Sequence, residues 1–145
     1  MSIRPVELHD IGEIFAIQSA CPELAQWPMA DYARVAQGEM AGWVAEEGAE
    51  LAGFLVARRV GSDAEILNFA VRAQSRRRGI GKALLREGLA WAGTFSAERL
   101  FLEVRASNVA ALQFYQRRGF QLAGCRQRYY SDPPEDALVL SLTLP

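Results

Sequence analysis

Histidine and cysteine are scarce in this chain, and long apolar runs are missing. One residue in 145 is a histidine and two are cysteines, Cys21 and Cys125, so the sequence indicates no disulfide framework, histidine-based metal site or Ser-His-Asp triad. No stretch approaches the roughly 18 apolar residues of a membrane-spanning helix, and residues 1–5 lack the pattern of a secretory leader. From these absences we expect a cytoplasmic protein with no metal ion and no membrane partner.

A large net charge is missing as well. The 16 basic and 17 acidic residues leave a formal net charge of −1, so no long-range field attracts nucleic acid, and we expect no nucleic-acid partner. The length suits a single domain over residues 1–145, and 50% hydrophobic with 23% charged residues is typical of a globular chain. Basic residues are nevertheless concentrated in one local cluster that could bind a small polyanion: Arg72, Arg76, Arg77, Arg78, Lys82 and Arg86.

Strand-like and helix-like hydrophobic periods follow one another along the chain. Their order, β-α-α-β-β-β-α-β-α-β-β, predicts an α/β (α+β) protein with a mixed, mostly antiparallel sheet of seven strands and about four helices on both faces. Asp10 and Glu13 have the spacing of a capping box for the first helix, and residues 131–136 separate the last two strands. The predicted strands cover residues 3–8, 42–46, 50–60, 64–71, 99–104, 122–130 and 137–144, and the helices cover 11–21, 27–35, 80–91 and 108–118.

A glycine-bearing loop, residues 75–82, joins a strand-like run to a helix-like run. Gly79 and Gly81 would let the backbone approach a ligand closely, and the start of a helix offers free N–H groups and a positive dipole end that suit a pyrophosphate. The glycine spacing matches neither the dinucleotide-binding motif nor the P-loop. Judged by itself, the segment is also compatible with an ordinary turn before a basic helix.

Four segments together resemble one enzyme family. The glycine loop is similar to the R/Q-x-x-G-x-G/A loop of the GCN5-related N-acetyltransferases, and residues 67–71, 102–108 and 110–120 resemble further motifs of that family at matching distances. The combination of L-E-V-R-x-S-N, a tyrosine in A-x-x-x-Y and R-x-x-Y-Y most closely resembles the RimI-type enzymes, which acetylate the N-terminal alanine of a small-subunit ribosomal protein. The chain departs from the usual pattern at Arg72-Ala73, where Asp-Pro is common, and at Arg76, where glutamine is common.

This resemblance implies the GNAT fold, acetyl-coenzyme A as co-substrate and no metal. It implies that Glu103 is the general base and that Tyr115 protonates the departing thiolate. The cofactor-binding residues implied by the same motifs are Phe69, Ala70, Val71, Arg77, Arg78, Gly79, Ile80, Gly81, Lys82 and Asn108.

Each of these side chains also has a structural interpretation. Glu103 could form a salt bridge with Arg105 or another surface arginine, and Tyr115 could be an aromatic core residue. Asn108 could cap a helix, a position from which it could still contact the cofactor. Tyr115 follows Asn108 by seven residues, so the two project from nearly the same face of a helix and could address one ligand.

The acceptor is expected to be an N-terminal amine. At pH 7, deprotonation costs about 1 kcal/mol for an α-amino group and about 4–5 kcal/mol for a lysine, and one carboxylate base is adequate for the first. Trp27, Tyr129 and Tyr130 are predicted to line a peptide groove, and Arg126 to contact a peptide carbonyl or carboxylate, although packing aromatics and a solvated arginine are the alternatives.

The predicted function is therefore acetylation of a protein's N-terminal α-amino group, with the N-terminal alanine of a ribosomal protein as acceptor. We expect a monomer or weak dimer. The alternatives are acetylation of a small-molecule or lysine amine, and a catalytically silent coenzyme-A-binding module.

Overall fold

The computed structural model describes residues 1–131 and 133–145. Within them the elements follow the predicted order β-α-α-β-β-β-α-β-α-β-β, which confirms that part of the sequence analysis. The strands are β1 (Ser2–Pro5), β2 (Ala41–Glu47), β3 (Glu50–Val60), β4 (Asp63–Val71), β5 (Arg99–Arg105), β6 (Gln121–Ser131) and β7 (Pro134–Thr143). The helices are α1 (Ile11–Ser19), α2 (Met29–Ala36), α3 (Ile80–Thr94) and α4 (Val109–Gln116).

Three local predictions were wrong. β1 stops at Pro5, because Leu8–Asp10 forms a 3-10 turn. The last two strands extend to Ser131 and from Pro134, so the hairpin is tighter than the predicted loop over residues 131–136, of which Asp132 lies outside the described residues.

The predicted capping box is the third of these errors. The Asp10 carboxylate accepts hydrogen bonds from the backbone N–H of Glu7 at 2.8 Å and from the Arg4 guanidinium. Glu13 instead accepts a hydrogen bond from the Leu51 amide at 2.9 Å. Asp10 therefore caps the preceding 3-10 turn, Leu8–Asp10, whereas Glu13 fastens α1 to β3.

The sheet has the strand order β1-β2-β3-β4-β5-β7-β6. All neighbours are antiparallel except β4 and β5, whose parallel pairing consists of Ala64 with Leu100 and Glu65 with Phe101. Beyond these pairs the two strands diverge. The backbone N–H and C=O groups along that edge of β4, at residues 67–71, are thereby left free of strand pairing and open to a ligand.

Helices cover both faces of the sheet, as predicted. β3 is buried on both sides: Phe54 packs in a cluster with Ile14 of α1 and Tyr32 of α2, whereas Leu55 packs in a second cluster with Leu84 of α3. Burial of apolar side chains in two layers is the main favourable term for a domain of this size. In the described part of the chain, no helix is long and apolar enough to cross a membrane.

Candidate active site

Two cavities adjoin where β4 and β5 diverge. The larger has a volume of about 520 Å³ and is lined by the glycine loop; we call it the loop cavity. The smaller has a volume of about 330 Å³ and contains Glu65 and Glu103; we call it the carboxylate cavity. The residues that line both, and so mark their junction, are Glu23, Leu24, Phe69, Asn108, Ala111 and Tyr115.

The loop cavity collects most of the residues predicted to bind the cofactor. Arg78 is the exception, because its guanidinium turns away to Glu47, with 3.2 Å between Nη1 and Oε2. The predicted cofactor-binding residues that line the cavity are Phe69, Ala70, Val71, Arg77, Gly79, Ile80, Gly81, Lys82 and Asn108.

The start of α3 presents backbone N–H groups to this cavity. Gly79 is the N-cap residue and has a φ of +80°, a left-handed conformation that glycine adopts without strain. α3 is 15 residues long, so its first turn carries the full effect of the helix dipole. Gly81 has a second role that the sequence did not reveal: a Cβ there would lie 3.3 Å from the Phe114 ring, so the missing side chain also accommodates that aromatic residue.

A polar network holds the residues before the loop. The Ser75 hydroxyl donates a hydrogen bond to Glu47 at 2.7 Å and accepts one from Arg72 at 2.7 Å, and Arg72 also pairs with Glu50. The hydrogen bond from Ser75 is the largest influence that lowers the pKa of the Glu47 carboxyl group, and the guanidinium groups of Arg78 and Arg72 lower it further. Arg72, one of the departures from the family pattern, therefore helps to tie the loop to the β2–β3 hairpin.

The carboxylate cavity contains two ion pairs of similar construction. Glu103 lies 2.7 Å from Nε of Arg126, and the glutamate side chain is 15% exposed against 58% for the arginine. Glu65 likewise lies 2.8 Å from Nη2 of Arg58 and is the more buried partner. Glu103 thus pairs with an arginine other than Arg105, and each carboxylate lies inside while its guanidinium is at the rim.

Glu65 was missed by sequence reasoning. The pairing of Glu65 with Phe101 and the alternation of side chains along β5 place Glu65 and Glu103 on the same face of the sheet. The alternation along β4 was visible in the sequence, but the register between β4 and β5 was not.

Aromatic residues enclose the same cavity. The rings of Tyr129 and Tyr130 are 5.3 Å apart, and the Arg126 guanidinium lies 5.4 Å from the Tyr129 ring. The negative charge of Glu103 is the largest contribution to a raised pKa of Tyr129. Together with Trp27, these are the four residues predicted to bind the acceptor, and all four line the carboxylate cavity.

Asn108 and Tyr115 lie at the junction. Oδ1 of Asn108 accepts a hydrogen bond from the Ala111 amide at 3.2 Å, so Asn108 is a helix cap that also faces both cavities. Tyr115 is buried against Phe69 and Phe120, with ring centroids 6.3 Å and 5.3 Å away, and this burial raises its pKa. The shared helix face predicted for Asn108 and Tyr115 is consistent with their joint position.

Among the side chains of residues 1–131 and 133–145, no group of three or more histidine, cysteine, aspartate or glutamate residues is arranged to hold a metal ion. Glu103 in the carboxylate cavity and Tyr115 at the junction are groups that can transfer protons.

Comparisons with known proteins agree with this geometry. Residues 9–120 match the model of the acetyltransferase (GNAT) family. The chain is 31% identical over 154 residues to a protein of Bacillus subtilis (strain 168) provisionally named a ribosomal protein bS18-alanine N-acetyltransferase, covering 99% of this chain and 95% of that protein. It is 36% identical over 97 residues to the ribosomal protein bS18-alanine N-acetyltransferase of Escherichia coli (strain K12), covering 66% of each chain.

A solved structure extends the similarity to the whole fold. The crystal structure of the ribosomal-protein-S18-alanine N-acetyltransferase from Escherichia coli superimposes with a TM-score of 0.86 at 28% identity, covering 98% of this chain and 92% of that one. The chain belongs to the acetyltransferase (GNAT) family, whose members use acetyl-coenzyme A, and it is an N-acetyltransferase.

Proposed function

We propose that this enzyme transfers an acetyl group from acetyl-coenzyme A to the N-terminal α-amino group of a protein, with the N-terminal alanine of ribosomal protein bS18 as the leading acceptor. The observation that carries the proposal is the junction of two cavities of unlike charge. Four cationic side chains and one carboxylate line the loop cavity, whereas three carboxylates and two arginines line the carboxylate cavity. The names of the bacterial relatives supply the acceptor.

The loop cavity is the proposed site of acetyl-coenzyme A, which supplies the thioester. Its pyrophosphate fits the N–H groups at the start of α3 and the nearby charges of Arg77 and Lys82. Its pantetheine arm fits the edge of β4 that β5 leaves unpaired, where amide groups still need partners. This orientation directs the thioester toward the junction.

The carboxylate cavity is the proposed entrance for the acceptor. An α-amino group with a pKa of about 7.7–8.0 arrives mostly protonated at pH 7, and a cavity with excess negative charge favours the ammonium form on approach. Glu103 then accepts the proton, directly or through a water molecule. Arg126 must share or release the Glu103 carboxylate at this step, which its exposed position permits.

Tyr115 is the proposed donor to the departing sulfur. Its raised pKa keeps the hydroxyl protonated, so it remains a hydrogen-bond donor at neutral pH. In water a phenol is a weaker acid than a thiol by about 1.5 pKa units, or about 2 kcal/mol. Burial raises the pKa of both the phenol and the thiol, so the difference between the two pKa values changes less than either value does.

The same proposal includes a single domain over residues 1–145, a cytoplasmic location and a monomeric or weakly dimeric state.

A protein acceptor requires an open path to the carboxylate cavity. The exposed ring of Tyr129 and the partly exposed Tyr130 and Trp27 provide an aromatic rim that could accept an extended peptide.

An acceptor panel tests this function. Purified enzyme and acetyl-coenzyme A are combined with an Ala-starting peptide of bS18, the same peptide with its α-amino group formylated, an internal lysine peptide and free amines, and thiol release is followed. We expect turnover of the free Ala peptide and none of the formylated one. Exclusive activity on lysine or on a small amine would refute the acceptor assignment while leaving acetyl transfer itself intact.

A further inference from the structure

Three buried polar side chains, one of which lines the carboxylate cavity, play no part in the proposed chemistry. Gln18 of α1, Tyr32 of α2 and Asn68 of β4 are 1%, 0% and 5% exposed. Buried polar groups stabilise a fold only when their hydrogen bonds are satisfied, so three that converge from three separate elements require an explanation.

Their hydrogen bonds form one connected network. The Tyr32 hydroxyl donates to Oε1 of Gln18 and accepts from Nδ2 of Asn68 at 2.9 Å. Nδ2 of Asn68 also lies 3.4 Å from Oε1 of Gln18, and the orientations of both amide side chains follow from which of their atoms donate and which accept in these contacts. Burial raises the pKa of Tyr32, so the hydroxyl keeps its proton and the network does not titrate near neutral pH.

The remaining bonds of the network go to the backbone of the segment between α1 and α2, residues 20–28. Nε2 of Gln18 donates to the carbonyl of Trp27 at 2.9 Å, and the Trp27 amide donates to Oε1 of Gln18 at 3.0 Å. Nδ2 of Asn68 donates to the carbonyl of Ala25 at 3.0 Å. A segment without regular structure is thus held from below at three backbone groups.

This segment forms one wall of the carboxylate cavity. Glu23, Leu24, Ala25 and Trp27 line it, and the Trp27 ring also packs on the ring of Tyr32 at 5.2 Å between centroids. Asn68 itself lies between Leu67 and Phe69 on β4, the strand that borders both cavities. The network therefore joins β4 directly to the wall that carries Trp27.

We propose that Gln18, Asn68 and Tyr32 are positioning residues for the acceptor: they hold the wall at residues 23–27 at a set distance from β4, so that the acceptor amine enters next to the thioester. The inference rests on the proposed function only in taking the carboxylate cavity as the acceptor side. Holding a loop in its binding conformation before the substrate arrives removes an ordering cost from binding, so the network acts on acceptor affinity.

Tyr32→Phe is the deciding variant, because it removes one oxygen atom and keeps the ring packed on Trp27 and Phe54. We expect KM for the acceptor to rise about tenfold, as for loss of a buried hydrogen bond, with the dissociation constant for acetyl-coenzyme A unchanged. Exchange of the Trp27 amide proton should accelerate in the same variant, since its acceptor Gln18 is freed. Asn68→Asp replaces the donor Nδ2, which binds the Tyr32 hydroxyl and the Ala25 carbonyl, by an acceptor oxygen. This variant should raise the acceptor KM further.

Ile14→Val is the matched control, since Ile14 is fully buried in the same core and makes none of these hydrogen bonds. It should lower thermal stability without raising the acceptor KM. If Tyr32→Phe changes the acceptor KM no more than Ile14→Val, or raises the acetyl-coenzyme A dissociation constant equally, the proposal is overturned. The kinetics are measured with whichever amine the wild-type enzyme acetylates, so failure of the peptide assignment remains a separate result.

Discussion

The loop cavity and the carboxylate cavity are built in different ways. About half of the residues that line the loop cavity belong to one stretch, residues 69–82, which offers backbone N–H groups and the exposed basic side chains of Arg77 and Lys82. The carboxylate cavity is assembled from separate parts of the chain, and four of its charged side chains form two ion pairs, Glu65 with Arg58 and Glu103 with Arg126. We infer that the first cavity recognises a constant ligand through the backbone, whereas the second recognises its ligand through side chains that must exchange partners.

Loss of the Glu103 carboxylate should have the largest effect. Glu103→Gln keeps the shape of the carboxylate cavity and removes the proposed base, so kcat/KM for the acceptor should fall about 10²-fold or more at pH 7. The loss should shrink above pH ~8, where the α-amino group is already neutral. Steady-state kinetics across pH 6–9.5 measure both.

Glu65→Gln provides the matched control, because Glu65 is the other carboxylate in that cavity and has its own arginine partner. Its effect should be smaller and should fall on KM. If kcat/KM falls equally in both variants, the cavity acts through its total negative charge. Glu103 would then not be distinguished as the base.

Tyr115→Phe should have the next largest effect, since Tyr115 borders both cavities. Removing the hydroxyl should lower kcat about tenfold and leave the dissociation constant for acetyl-coenzyme A nearly unchanged, because the interaction forms chiefly in the transition state. Calorimetry and single-turnover kinetics separate the two quantities. Normal turnover with a lower melting temperature would assign Tyr115 to the core alone.

Lys82→Met probes the loop cavity through its charge. We expect the dissociation constant for acetyl-coenzyme A to rise about fivefold at low salt, and the difference from wild type to shrink as ionic strength rises. Arg86→Met is the control, because Arg86 lies one turn further along α3, outside the lining. The same loss in both variants would indicate a general field instead of a local contact.

The pH dependence of kcat should show the smallest effect. Tyr115 acts in its neutral form, and burial raises its pKa, so the loss of that form moves to a higher pH than the ordinary phenol value of about 10. The alkaline arm of the kcat profile should therefore stay flat up to about pH 10, with the same shape in Tyr115→Phe. A decline centred below pH 10 that disappears in the variant would contradict this assignment.

The sequence predicted the site best where consecutive residues form it. Gly79 lies at the predicted strand–loop–helix transition, where its φ of +80° is a conformation that glycine adopts without strain. The same reasoning placed Arg78 among the cofactor-binding residues but did not predict that its side chain pairs with Glu47, a residue 31 positions away. An ion pair across that distance leaves no periodic signal in the sequence.

The pairing of Glu103 with Arg126 illustrates the limit most clearly. The two residues lie on β5 and β6, which are separated in the sheet by β7, and they share a face because Arg105 and Arg126 both lie opposite Ala137. These registers are set by pairing between strands far apart in the chain, so alternation within β5 or β6 alone could not predict this contact.

By itself, the sequence determined the order of the elements, the glycine loop and the chemical groups available for acetyl transfer, because these depend on local periodicity and on residue type. Only the tertiary structure decided where β4 and β5 diverge, which carboxylates share a cavity and which arginines pair with them. Those features depend on register and on packing between segments far apart in the chain. The network of Gln18, Tyr32 and Asn68 belongs to the second group, because its hydrogen bonds exist only when α1, α2 and β4 pack together.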